Sequence, residues 1–109
     1  MKRGDVVIVV VSGELGKPRP AVVVQADELG DATTTVLVCP MSSEIREADN
    51  LRPVFEPTTG SGLRTHSQVM ADKITALRRD RIRRKIGKLD KTARESLDRA
   101  LLILLGLAR

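Results

Sequence analysis

Val6-Val7-Ile8-Val9-Val10-Val11, followed by Ala21-Val22-Val23-Val24 after a loop holding Gly13, Gly16, Pro18 and Pro20, is the stretch that decides the fold. β-Branched side chains lose rotamer freedom in a helix and pack well on a pleated surface. Both runs therefore read as strands, the first buried on two faces. Gly30 and Asp31 make a turn before a third strand, Thr33 to Cys39, which is expected to stop near Pro40. The polar residues Ser42 to Asn50 lead to an edge strand at Val54-Phe55-Glu56, because Pro53 and Pro57 bar central ladder positions. After the turn Thr58-Thr59-Gly60-Ser61-Gly62, Ser67 to Ile74 reads as a strand with Val69 and Ala71 on one face and Met70 and Asp72 on the other.

The last third changes character: it has no proline, few glycines and dense charge. Leu77, Ile82 and Ile86 among arginines suggest a short basic helix over Leu77 to Ile86. Asp90 is a good N-cap for a second helix, whose Ala93, Leu97, Ala100, Leu101, Leu104 and Leu105 follow helical spacing. Leu102 and Ile103 widen that stripe, so the helix has one face for the sheet and another for a partner subunit. The class is α+β, mainly β.

The chain has 109 residues, enough for one domain spanning 1–109 and too few for two independent cores. Hydrophobic residues at 41% against 30% charged exclude the composition of a disordered chain. Cys39 is the only cysteine and His66 the only histidine, which excludes an internal disulfide, a Cys/His zinc site and a two-histidine acid-base pair within one chain. The apolar runs are too short for a signal peptide or a membrane span, and a cytoplasmic protein with one reduced thiol is the expectation. A formal net charge of +5 favours a polyanionic partner or an acidic protein. Phe55 is the sole aromatic, which leaves nothing for the base-stacking platforms of RRM and many OB-type modules.

Three places have the means for chemistry. From Arg78 to Lys88, seven basic residues stand against the single acid Asp80, an excess larger than that of the whole chain. Such a run is either a solvated face or a phosphate-contacting ridge. In Glu14-Leu15-Gly16-Lys17-Pro18-Arg19-Pro20 a carboxylate and a guanidinium share one loop, with Arg19 restrained between two prolines as a planar fork suited to a phosphate. Their alternative is to be ordinary loop charges. Pro40-Met41-Ser42-Ser43 offers two hydroxyls at a strand end, for turn hydrogen bonding or for an anion. No nucleophile elbow surrounds either serine. His66 is a candidate proton shuttle, although a lone histidine at a strand entrance is more often structural.

In this order the pieces resemble the MazF/PemK family of toxins from toxin-antitoxin systems, which are small metal-independent endoribonucleases. The resemblance spans nearly the whole chain. It rests on Arg3-Gly4-Asp5-Val6, on Gly13-Glu14 with Arg19-Pro20-Ala21-Val22-Val23-Val24, and on Val38-Cys39-Pro40-Met41-Ser42-Ser43. It continues in Gly62-Leu63 with Ser67, in Asp72, in Ile86-Gly87-Lys88-Leu89, and in Leu97-Asp98-Arg99-Ala100-Leu101 with Leu105-Gly106-Leu107. It implies an SH3-like antiparallel β-barrel with a C-terminal helix, paired as a homodimer whose groove takes single-stranded RNA. It further implies Arg19, Ser42 and Glu14 as catalytic residues, with Lys17, Ser43, His66, Asp72 and Lys73 as substrate contacts. No cofactor or metal is implied. Implied partners are an antitoxin with an acidic C-terminal tail and, only through that complex, DNA. The chain departs from the family at Asp72-Lys73-Ile74-Thr75, where Asp-Gln-Ile-Arg is usual, and at Met70, where one branch carries a catalytic arginine. Two other readings compete: a non-catalytic basic barrel that binds RNA or DNA, and a gyrase-poisoning toxin of the same fold, which relies on a tryptophan this chain lacks.

Overall fold

The computed structural model describes residues 1–11, 17–47 and 51–108. The first valine run forms β1 (Asp5–Val10), and the second belongs to β2 (Pro18–Val23), which starts three residues earlier than the apolar pattern. Next come β3 (Thr35–Ser42), the short β4 (Val54–Phe55), β5 (Ser67–Val69), β6 (Thr75–Arg78), β7 (Ile82–Lys88) and the helix α1 (Lys91–Leu104). The strands form one antiparallel curled sheet in the order β4-β5-β3-β2-β1-β7, and β6 also pairs with β3. β4 is at the end of that order, as the flanking prolines require.

Period-2 alternation gives the sheet two buried faces. Val6, Val22, Cys39 and Met41 turn to the side on which α1 lays Leu97, Ala100 and Leu101. Val7, Val9, Ala21, Val23, Val36 and Val38 fill the opposite side with Leu77. Each buried Val, Leu or Met side chain among them contributes about 1.5–3 kcal/mol by leaving water. Asp90 caps α1 as expected, accepting from the Ala93 amide at 2.8 Å. Leu102 and Ile103 stay exposed, and so does Leu105, which packs on neither buried cluster. Arg3-Gly4-Asp5 is a structural corner. Gly4 has φ +94, Arg3 donates to the Val24 carbonyl at 3.1 Å and ion-pairs with Asp98 of α1 at 2.7 Å.

Three sequence expectations need correction. β3 does not stop at Pro40 but runs through it. The Pro40 carbonyl accepts from the Met70 amide, and carbonyl and nitrogen of a strand residue face the same edge. The missing N–H therefore falls where β3 leaves β6 at Val38 and has yet to meet β5 at Met41, so no ladder bond is lost. The strand expected over Ser67 to Ile74 is broken: Ala71–Lys73 is a single 3-10 turn that carries the chain from β5 to β6, and Ser67 to Ala71 are buried without alternation.

The basic helix expected over Leu77 to Ile86 is absent; that segment is the end of β6, a 3-10 turn at Arg79–Arg81, and most of β7. β1 needs a partner on its second edge, and this tertiary demand overrides the helix preference of Arg and Lys. The spacing misleads as well. Val9 opposes Ile82 and Ile8 opposes Arg84, then Val7 opposes Lys85 and Val6 opposes Gly87, so Arg83 and Ile86 are the extra residues of two β-bulges. Ile82 packs on the Leu77 cluster and Ile86 on the helix-side cluster, although a four-residue spacing would place them on one face of either a helix or a regular strand.

Leu97→Ala is expected to cost about 2–5 kcal/mol and Asp90→Ala about 1 kcal/mol in urea unfolding, because the first opens a cavity under α1 and the second removes only its cap.

Candidate active site

β2 opens and β3 closes at the same end of the sheet. Their register runs Val23↔Val38, Val22↔Cys39, Ala21↔Pro40, and carried two residues further it sets Arg19 opposite Ser42. Here the sheet floors a cleft of about 580 Å³. Ile8, Pro20 and Met41 form its apolar base with Ile86, and Lys17, Arg19, Ser42 and Ser43 stand at the strand ends. Gly62-Leu63-Arg64-Thr65 makes the opposite wall, and Ser67 and Arg84 complete the polar lining.

Backbone contact holds the wall in place. Gly62 has φ +71, and a Cβ there would strike the Ile86 carbonyl oxygen. The Lys88 amide donates to the Gly60 carbonyl at 2.8 Å, and the Ser61 hydroxyl donates to the Thr58 carbonyl at 3.1 Å while accepting from the Thr58 amide. Behind the cleft the buried Gln68 donates to the carbonyls of Arg46 and Arg52, at 2.6 and 3.2 Å, tying down both flanks of the segment after β3.

Four cations, Lys17, Arg19, Arg64 and Arg84, face this space, and among the described residues no carboxylate lines it. The Ser42 hydroxyl accepts from the Glu44 amide at 3.1 Å. That bond uses one lone pair and leaves the O–H free to donate, so the turn role and an anion-binding role coexist. Cys39 lies beneath, with burial pushing its thiol up to about 12 despite the Arg3 charge. It stays protonated near neutral pH and is no nucleophile.

Of the residues expected at the site, Arg19, Ser42, Lys17 and Ser43 are brought together. Glu14 lies outside the described residues. His66 sits between Thr65 and Ser67, which line the cleft, but its imidazole pairs with the exposed Glu56 carboxylate beside β4. Asp72 and Lys73 are on the 3-10 turn and also lie outside the lining. Asp72 receives Arg52 through two hydrogen bonds of 2.9 and 3.0 Å, and this guanidinium holds its carboxyl below the usual range. Arg64, Thr65 and Ser67 belong to the lining and were not legible as site residues, and Arg84 was legible only as one of seven bases in a candidate phosphate-contacting ridge; the pairing of β7 with Ile8 is the signal that singles it out.

Since the folded pKa of Asp72 is depressed, its ion pair stabilises fully above the unfolded value and less as pH falls through the folded one. Asp72→Asn should lower the urea midpoint at pH 7 and flatten its decline between about pH 5 and pH 3, as read by circular dichroism.

A sequence model described as "PemK-like, MazF-like toxin of type II toxin-antitoxin system" matches residues 2–105. The chain is 40% identical over 109 residues to a probable endoribonuclease MazF of Mycolicibacterium smegmatis, covering 99% of each. Its fold is similar to that of an endoribonuclease from a mycobacterial species solved in complex with its cognate antitoxin, with a TM-score of 0.82 at 21% identity over 100% of this chain and 98% of that one. The Mycobacterium tuberculosis toxin MazF-mt6 superposes with a TM-score of 0.80 at 20% identity over 94% and 96% of the two chains.

Proposed function

The chain belongs to the PemK-like, MazF-like toxins of type II toxin-antitoxin systems, and from that premise we propose that it is a sequence-specific endoribonuclease acting on single-stranded RNA in the cleft above β2 and β3. The observation that carries this reading is that Arg19 and Ser42, at the neighbouring ends of β2 and β3, line one cleft together with the cations Lys17, Arg64 and Arg84.

Cleavage by the neighbouring 2′-hydroxyl needs three services: removal of the 2′ proton, stabilisation of charge on the phosphorus oxygens, and a proton for the departing 5′-oxygen. Glu14 takes the proton as general base. Arg19 offers a forked donor and Ser42 a hydroxyl to the phosphate oxygens as the O2′–P bond forms. The P–O5′ bond breaks and the 5′-oxygen takes up a proton from solvent, while the proton held by Glu14 returns to solvent after the step. The products are a 2′,3′-cyclic phosphate and a 5′-hydroxyl, and neither metal nor covalent enzyme intermediate enters the sequence of steps. Lys17 and Ser43 hold flanking parts of the strand. DNA lacks the attacking group and is left uncut.

An antitoxin with an acidic, partly disordered tail suits the positive cleft, and a mycobacterial endoribonuclease of similar fold is solved in complex with its cognate antitoxin. DNA would be reached only through that complex. The exposed Leu102, Ile103, Leu105 and Leu107 give two copies an apolar surface to share as a homodimer. Among the described residues no helix is long and apolar enough to cross a membrane, and we assign the action to the cytoplasm, where the RNA is.

With mixed RNA in EDTA, Arg19→Ala and Ser42→Ala should each lose on the order of 10²-fold or more in cleavage rate. Salt-sensitive RNA retention by the wild-type protein without any cutting would favour the non-catalytic binder instead. Light scattering at micromolar concentration should give the mass of a dimer.

A further inference from the structure

We propose that Arg84 of β7 is a second phosphate-binding residue of this cleft, holding a backbone phosphate of the RNA beside the one that is cut. The inference rests on the RNA-cleaving reading of the cleft and adds a substrate contact that the catalytic set lacks.

The seven basic residues between Arg78 and Lys88 are not equivalent once folded. Arg78 pairs with Asp80 at 2.7 Å. Arg79 folds back to donate to the carbonyls of Thr33 and Gly30, at 3.0 and 2.9 Å, and reaches Asp31. Lys85 neutralises the buried Asp5 at 3.3 Å. Arg84 is the member that lines the cleft, and among the described residues it has no acidic partner. Of the unpaired remainder, neither Arg81, Arg83 nor Lys88 lines it.

Its position follows from a bulge. With Arg83 as the extra residue, Arg84 falls opposite Ile8, which on its other edge falls opposite Pro20. Arg84, Ile8 and Pro20 thus form one row across three strands, and all three line the cleft. Two strand spacings put the Arg84 and Pro20 backbones about 10 Å apart. Arg19 is the next residue along β2. Arg19 pairs with Val9 and so leaves β2 on the face opposite Pro20, and it lines the cleft from the strand end rather than from the row that holds Arg84. The two guanidinium groups therefore reach the cleft from different places and serve different phosphates. The floor between them, Ile8 and Pro20, is apolar and gives sugar and base surfaces a place to lie without competing for either charge.

The test uses full-length protein and two RNA probes: a cleavable oligonucleotide and its 2′-deoxy counterpart, which binds without being cut. Arg84→Gln should raise KM and weaken binding of the uncut probe by about tenfold while kcat stays within about twofold, since a charged hydrogen bond is lost away from the reacting atoms. The loss should be similar for probes of different sequence, and the slope of log affinity against log salt should shrink by about 0.7, the value for one phosphate on a single strand. Arg84→Lys should recover most of the affinity. Urea midpoints of both variants within experimental error of wild type would confirm that folding is intact. Wild-type affinity and salt slope in Arg84→Gln would overturn the proposal, as would a loss confined to kcat. If the wild-type protein binds but does not cut, the nuclease reading fails, while an Arg84-dependent salt slope on the uncut probe still supports the contact.

Discussion

A strand with large apolar side chains on both faces must sit in the middle of a structure. β1 is such a strand: Val6 faces the helix side and Val7 and Val9 the opposite side, all at 1% exposure or less. It needs cover on two faces and a hydrogen-bonded neighbour on each edge. β2 takes one edge and β7 the other, and that second pairing sets where Arg84 and Lys85 of β7 fall. Had residues 82–88 coiled into a helix, β1 would have been left with an unpaired buried edge, a cost no helical propensity of a few tenths of a kcal/mol per residue could offset.

How much of this was readable in the chain depended on whether the signal was local. The valine runs, the edge character of Val54-Phe55 and the cap at Asp90 are local chemistry, and they appear where the residues say. Pro40 and the segment from Leu77 to Ile86 were misread because their conformation is set by partners far away in sequence. Pro40 is tolerated inside β3 because the strand changes neighbours there. Ile82 and Ile86 are sent to opposite faces by bulges that have no mark in composition. The same division governs the cleft. Arg19, Lys17, Ser42 and Ser43 were visible as short motifs next to strand ends, whereas Arg64 and Arg84 reach the cleft only through the packing of a wall and the register of an edge strand. Asp72 carries an equally suggestive motif and is instead tied to Arg52 outside the cleft.

Several residues that the family resemblance rests on prove to be structural. The Arg3-Gly4-Asp5 corner joins the start of β1 to β2, to α1 and to β7 by four separate contacts. Such a corner explains how a motif far from any reacting atom comes to mark a family: without it the central strand would enter the sheet unanchored. Chemistry is concentrated in the few positions where strands end and polar groups are left over.

The contact of Gly62 with the Ile86 carbonyl, and of Gly87 with the Ser61 backbone, has a mechanical meaning. Main chain rests on main chain there, so one jaw of the cleft is a single solid piece whose gape is fixed by the thickness of the polypeptide itself. Side chains displayed on that jaw can be exchanged over evolutionary time without altering its spacing from the opposing strand ends. A lineage could therefore retune which RNA it accepts while inheriting an unchanged gauge.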